Sequence, residues 1–87
     1  MLLVIDVGNT HTVIGIYEDK NLIGHWRIST DLKKTEDELA MLFINLLNQK
    51  GLSYNNIKAI AISCVVPPLT WTLNKMAKNY FQVRPIW

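Results

Sequence analysis

The chain has little of what several classes of protein require. Its one cysteine, Cys64, excludes a disulfide framework and a cysteine-ligated zinc site. The net charge of +2 is too small to indicate a nucleic-acid partner. No apolar run reaches the roughly 18 residues that a membrane span needs, and Asp6 interrupts the N-terminal apolar run, unlike a secretory signal peptide. We therefore expect a soluble, cytoplasmic protein with neither a membrane nor a nucleic-acid partner.

Apolar residues are plentiful by comparison. They make up 49% of the 87 residues, and charged residues make up 18%, so the chain can form a core and is not disordered. It has no internal repeat, low-complexity segment or linker, which indicates one unit over residues 1–87. A chain of this length buries only about 60–65% of its unfolded surface, so its stability without a partner is expected to be marginal.

Three segments in the first third of the chain have strand character. Leu2–Val7 is a continuous apolar run, which predicts a strand covered on both faces. Thr12–Tyr17 is rich in β-branched residues, and Asn21–Ser29 alternates between two faces. Short turns separate the three segments, which predicts an antiparallel meander.

A helix follows the meander. Thr35 and Glu38 form a capping-box pattern, and Gly51 ends the helix after about Gln49 or Lys50. The apolar residues of this helix cover an arc of about 200°, wider than the roughly 100° stripe that packs on a sheet. We therefore expect a second covering surface, from another domain or another chain.

The last third predicts a strand, a helix and a strand. Ile57–Val66 reads as a buried strand that completes a βαβ crossover. Pro67 and Pro68 suit the first turn of a helix that extends to about Asn79, and Phe81–Trp87 reads as an edge strand. The predicted fold is α/β with the order βββαβαβ and a mixed five-stranded sheet of strand order 3-2-1-4-5.

The turn after the first strand, with the sequence D-V-G-N-T, is the segment best suited to bind a ligand. Gly8 permits a close backbone approach, and successive N–H groups in such a turn can bind an anion. Asn9, Thr10 and Thr12 add donors for phosphate oxygens, and Asp6 suits a hydrated Mg²⁺ that bridges them. The same residues also fit an ordinary hairpin turn after a solvated aspartate. The position favours a ligand, because a carboxylate that ends an apolar central strand is costly to bury without a partner.

The roles of two basic residues remain open at this stage. His11 could donate to a phosphate or lie free on the surface of the second strand. Arg27 is expected to form a cross-strand salt bridge.

The chain resembles the type III pantothenate kinases, within the superfamily of acetate kinase, sugar kinases, Hsp70 and actin. Four segments carry the resemblance in the same order: L-V-I-D-V-G-N-T-H-T-V at Leu3–Val13, W-R-I-S-T at Trp26–Thr30, T-E-D-E-L at Thr35–Leu39 and S-C-V-V-P-P at Ser63–Pro68. The first segment alone is typical of the whole superfamily, whereas the four together are more specific.

The resemblance implies a ribonuclease H-like half-domain and an enzyme that transfers phosphate from ATP to pantothenate, the first step of coenzyme A synthesis. It implies a homodimer and the cofactors ATP, Mg²⁺ and a monovalent cation, K⁺ or NH₄⁺. The residues that it assigns to the ATP phosphates are Asp6, Val7, Gly8, Asn9, Thr10, His11, Thr12 and Val13, with Asp6 also assigned to the metal.

The family pattern is present only in part. D-x-G-x-T occurs once, and the G-x-D-R segment that holds the family's catalytic aspartate does not occur. No catalytic residue is therefore expected in this chain, which we expect to be the N-terminal half of the enzyme and inactive alone. A regulatory accessory protein of the same family, or a superfamily kinase for a sugar or acetate, remains an alternative.

Overall fold

The computed structural model describes all residues from Met1 to Trp87. The strands are β1 (Leu2–Val7), β2 (His11–Glu18), β3 (Asn21–Ser29) and β4 (Ala59–Cys64), and the helices are α1 (Glu36–Gln49) and α2 (Pro67–Phe81). A short 3-10 turn, Tyr54–Asn56, lies before β4. No helix has the length and apolar character needed to cross a membrane.

The four strands form one mixed sheet in the order β3-β2-β1-β4. The β1–β2 and β2–β3 pairs are antiparallel, and β1 and β4 are parallel. The predicted meander, the crossover and the central position of β1 are therefore confirmed. A bulge between Ile16 and Tyr17 shifts the β2–β3 register near the far end of the pair.

The prediction of a fifth strand at Phe81–Trp87 is wrong. Helix α2 continues to Phe81, and Gln82 ends it in the left-handed conformation at φ 53°. Only Ile86 then reaches the edge of β4: its N–H donates to Ile60 O and its carbonyl accepts from Ile62 N, both at 2.8 Å. Pro85 has no N–H to donate to a ladder, and Ile86 makes an isolated bridge opposite Ala61 rather than a strand. The sheet has four strands, and the observed order is βββαβα.

Helix α1 begins and ends as its sequence predicts. The Thr35 side chain accepts from Glu38 N at 3.2 Å, and the Glu38 carboxylate accepts from Thr35 N at 2.9 Å, so both halves of the capping box are present. Gly51 follows the helix with φ 72°, a conformation that glycine adopts without strain.

The second surface that covers α1 comes from the same chain, contrary to the expectation of another domain or protein. Helix α2 packs against α1, and two hydrogen bonds join their polar edges: Asn79 to Glu36 at 2.8 Å, and the Tyr80 hydroxyl to Asp37. Three further apolar residues of α1 are half-buried and Met41 remains 48% exposed. The width of the apolar arc therefore reflects two packing partners, the sheet and α2.

The core lies between one face of the sheet and the two helices. Its buried side chains form one cluster: Leu3, Ile5, Val7, Ile14, Ile16, Leu39, Ala40, Phe43, Leu47, Ile57, Ile60, Ile62, Val66, Leu69, Leu73, Met76, Ala77 and Phe81. The opposite face, here called the open face, has no helix over it; it bears Leu2, Val4, Asp6, His11, Val13, Tyr17, His25, Arg27, Ala59, Ala61 and Ser63. The prediction that β1 is covered on both faces is therefore wrong for this chain, in which Leu2 and Val4 are only half-buried.

Candidate functional site

The turn between β1 and β2 lies at the carboxyl end of the parallel pair β1 and β4. Gly8 N donates to His11 O at 2.9 Å, which leaves Asn9 and Thr10 as the two residues at the tip. Val65 N donates to Val7 O at 3.1 Å, so the chain leaving β4 passes beside the turn before α2 begins. Ligands of open α/β sheets commonly bind beyond the carboxyl ends of such strands.

Thr30 fastens this turn to the end of β3. Its Oγ1 donates to Gly8 O at 2.8 Å, and its backbone N–H donates to Thr10 O, also at 2.8 Å. The Oγ1 atoms of Thr30 and Thr12 are 2.9 Å apart. Because the single hydroxyl proton of Thr30 goes to Gly8, Thr12 must be the donor in this second contact. Three hydrogen bonds to one residue hold the turn in one shape.

The position of Thr12 differs from the prediction that its hydroxyl is a free donor for phosphate. Thr12 is only 6% exposed and is the buried polar residue of the core layer. Its hydroxyl donates to Oγ1 of Thr30, so this side chain stabilises the turn from the buried side.

The other predicted site residues fall into two groups. Asp6, Asn9, Thr10 and His11 are exposed around the turn, with their polar side chains accessible. Val7 is buried among the core residues, and Gly8 and Val13 are half-buried, so these three can contribute only backbone groups or an apolar surface.

The carboxylate of Asp6 lies on the open face and is exposed, and the side-chain hydrogen bonds of the turn do not involve it. Asp6 therefore pays no burial cost that a ligand would have to offset, contrary to the prediction. An exposed, unengaged carboxylate beside this turn keeps all of its oxygen lone pairs for a cation or for water.

Gly8 suits the turn because it has no side chain to collide with a neighbour, and not because its backbone conformation is unusual. Its φ is not in the left-handed region, where only Asp19, Gln82 and Gly51 lie. A Cβ at position 8 would lie 3.2 Å from His11 O, tighter than an ordinary contact. A larger residue would therefore push directly on the carbonyl that closes the turn.

A basic pair borders the turn on the β3 side. The Arg27 Nη2 atom lies 3.3 Å from Nδ1 of His11. The expected cross-strand salt bridge of Arg27 is not what the structure shows, since its hydrogen-bond partner is an imidazole. Asp6 pairs with Val13, and Val13 pairs with Arg27, so the carboxylate and the guanidinium stand in one row across the open face.

Sequence reasoning missed the structural roles of Thr30 and Arg27. Both lie in the W-R-I-S-T segment, where the expectation for Arg27 was a salt bridge and Thr30 contributed only to the family resemblance. The alternation of side chains in β3 could have placed Arg27 on the opposite face from Ile28. Thr30 directly follows β3, so its side chain can reach the neighbouring turn.

Comparison with known proteins decides the family. The family model described as type III pantothenate kinase matches residues 2–87. The chain belongs to the type III pantothenate kinase family.

Two curated type III pantothenate kinases give the extent of the match. The Halalkalibacterium halodurans protein is 51% identical over 86 residues, which cover 99% of this chain and 34% of that protein. The Bacillus cytotoxicus protein is 48% identical over 86 residues, 99% of this chain and 33% of that protein. The chain thus spans about a third of the length of these curated relatives.

A solved structure shows the same fold at low sequence identity. It is a Porphyromonas gingivalis protein provisionally described as an N-acetylglucosamine kinase, with a TM-score of 0.67 and 19% identity. The match covers 99% of this chain and 34% of that chain. The likeness supports the arrangement of sheet and helices.

Proposed function

We propose that this chain is the nucleotide-phosphate-binding part of an enzyme that phosphorylates pantothenate with ATP. The observation that carries the proposal is the braced turn at the end of β1. Thr30 fixes its backbone at Gly8 and Thr10, while Asn9 and His11 present exposed donors beside it. Family membership supplies the reaction and the acceptor.

The residues of the turn fit a magnesium–phosphate group by the chemistry of their donors. Asp6 supplies the hard oxygen ligand that Mg²⁺ prefers, and the exposed amide and hydroxyl of Asn9 and Thr10 suit phosphate oxygens. The chain has no group of three or more His, Cys, Asp or Glu side chains that could hold a metal by themselves. In this proposal Asp6 would share the ion with phosphate and water oxygens, and the bound ion would neutralise charge on the phosphates.

The contribution of this chain is positioning and electrostatic stabilisation. Phosphoryl transfer needs its reacting oxygens held in line and the charge on the phosphoryl oxygens stabilised. A turn that keeps its shape before the nucleotide arrives loses little conformational entropy on binding. The eight residues from Asp6 to Val13 would supply this cradle, with Val7 and Val13 acting through the backbone and Thr12 as its internal support.

The remaining parts of the proposal rest on family membership alone. They are a ribonuclease H-like half-domain over residues 1–87, a second half with the catalytic carboxylate and the pantothenate pocket, a homodimer, a need for K⁺ or NH₄⁺, and a cytoplasmic location. This 87-residue chain alone would not turn over ATP, because it has one phosphate-binding turn and no base for the pantothenate hydroxyl.

The acceptor is tested on the full-length protein that contains this chain. Purified protein is incubated with ATP, Mg²⁺ and K⁺, and with pantothenate, acetate or N-acetylglucosamine as separate acceptors. We expect ADP release and a phosphorylated product with pantothenate only. Transfer to acetate or the sugar but not to pantothenate would contradict the proposed substrate, and no transfer to any of the three would contradict the proposed activity.

A further inference from the structure

The Arg27–His11 contact fixes which nitrogen of the imidazole carries the proton. A guanidinium has only N–H donors and no acceptor, so the Nδ1 atom that faces Arg27 at 3.3 Å must present its lone pair. In the neutral ring the proton is then on Nε2. The outer nitrogen of His11 is therefore a hydrogen-bond donor.

This donor lies next to the phosphate turn. His11 is the residue whose carbonyl closes the turn by accepting from Gly8 N at 2.9 Å, so its side chain starts at the edge of the proposed cradle. It is the first residue of β2 and is exposed on the open face, the face that also bears Asp6. An Nε2–H on this face would add a hydrogen-bond donor beside the turn.

Arg27 has the position and the charge needed to orient the imidazole of His11. It stands on β3 two strands from Asp6, about 10 Å across the sheet at the usual strand spacing. Its hydrogen-bond partner is an imidazole rather than a carboxylate, so this contact leaves its positive charge unneutralised.

We propose that Arg27 is a positioning residue for the nucleotide: it holds His11 as the Nε2–H tautomer, so that the imidazole donates to a phosphate oxygen of ATP. The inference rests on the proposed function of the turn and extends it to a residue outside the Asp6–Val13 segment. Arg27 acts through His11 in this arrangement.

Three variants of the full-length protein test the proposal: Arg27→Gln, His11→Ala and the double variant. Each single change should raise the KM for ATP about tenfold, the size expected for one hydrogen bond to a charged group, with a much smaller change in kcat. The double variant should bind ATP no worse than His11→Ala alone, because the two residues act as one unit. Arg84→Gln, which removes an exposed arginine far from the turn in sequence, is the matched control and should leave KM unchanged.

The tautomer gives a readout that a merely structural role would not move. In protein with ¹⁵N-labelled histidine, the His11 signals are identified by their loss in His11→Ala. They should show a protonated Nε2 in the wild type and a mixture of tautomers in Arg27→Gln. Arg27→Lys keeps a cation and an N–H donor, so its KM for ATP should lie close to the wild-type value. This variant also tests the proposal if Arg27→Gln folds poorly.

Each opposite result is decisive. An unchanged KM in Arg27→Gln, a protonated Nδ1 in the wild type, or multiplicative losses in the double variant would overturn the positioning role. If Asp6→Asn and His11→Ala both leave ATP binding intact, the proposed phosphate turn itself is wrong. A normal loss in Asp6→Asn with no effect of Arg27→Gln removes only the inference about Arg27.

Discussion

Thr30 and Gly8 are 22 residues apart in the chain, yet the Thr30 hydroxyl donates to the Gly8 carbonyl at 2.8 Å. The contact joins the end of β3 to the turn that follows β1. Through it, the geometry of the proposed phosphate site depends on a residue that does not itself face the site. The same hydroxyl accepts from Thr12, so one side chain satisfies polar groups on two sides.

We expect Thr30→Val to weaken both stability and nucleotide binding. The valine keeps the shape but leaves Gly8 O and the buried Thr12 hydroxyl without their partner, at a cost of about 1–3 kcal/mol in the free energy of unfolding. Denaturant unfolding and the KM for ATP in the full-length protein measure the two effects. Thr30→Ser keeps the hydroxyl and is the control; equal behaviour of the valine and serine variants would show that the hydroxyl does not brace the turn.

Gly8→Ala should impair ATP binding through a steric contact. The new Cβ would lie 3.2 Å from His11 O, so the carbonyl that closes the turn must move. Overpacking of this kind typically costs about 1–3 kcal/mol. Gly15→Ala in β2 meets only an ordinary 3.4 Å contact with the Leu22 side chain and should be tolerated much better. Calorimetric titration with ATP compares the two variants, and equal affinities would argue against a tight turn at Gly8.

The link between Tyr80 and Asp37 should make the α1–α2 packing sensitive to alkaline pH. The hydrogen bond to Asp37, followed by burial and the nearby Asp37 and Glu36 charges, raises the pKa of Tyr80 above its usual value of 10.0. The protonated phenol is the form that the folded chain favours. Its contribution is therefore complete below about pH 10 and is lost as the pH rises through the raised pKa.

Phenolate absorbance during alkaline titration measures this effect. The tyrosine that titrates last in the folded protein should be absent in Tyr80→Phe, and Tyr17→Phe is the control. Asp37→Asn should remove the charge and lower the last titration step. A last step that survives in Tyr80→Phe would contradict the assignment.

Local sequence patterns predicted the elements whose determinants are close together in the chain. The Thr35–Glu38 capping box and Gly51 define α1 within a few residues, and the two prolines define the start of α2. The strand order followed from the short turns of the meander and one crossover. The fifth strand was overpredicted because apolar residues near Pro85 resemble a strand, whereas the end of α2 is decided by packing of Phe81 in the core.

The site was predicted as a segment but not as a structure. The D-V-G-N-T turn is visible in the sequence because its residues are adjacent. The contacts that shape it join residues 16 to 22 positions apart: Arg27 with His11, Thr30 with Thr12, and Thr30 with Gly8. Such contacts depend on strand register, which the bulge after Ile16 alters and which no local pattern specifies.

The central claim is that the turn at the end of β1 binds the phosphates of ATP, with Asp6 at the metal. The most direct measurement is kcat/KM for ATP in the full-length protein with Asp6→Asn at saturating Mg²⁺, against Asp19→Asn in the β2–β3 turn as the matched control. Asparagine keeps the size of the side chain and tolerates the positive φ of residue 19. We predict a loss of about 10²-fold or more for Asp6→Asn and no significant change for Asp19→Asn. A value within about threefold of the wild type for Asp6→Asn, well below the size of such an electrostatic effect, would contradict the role of this turn.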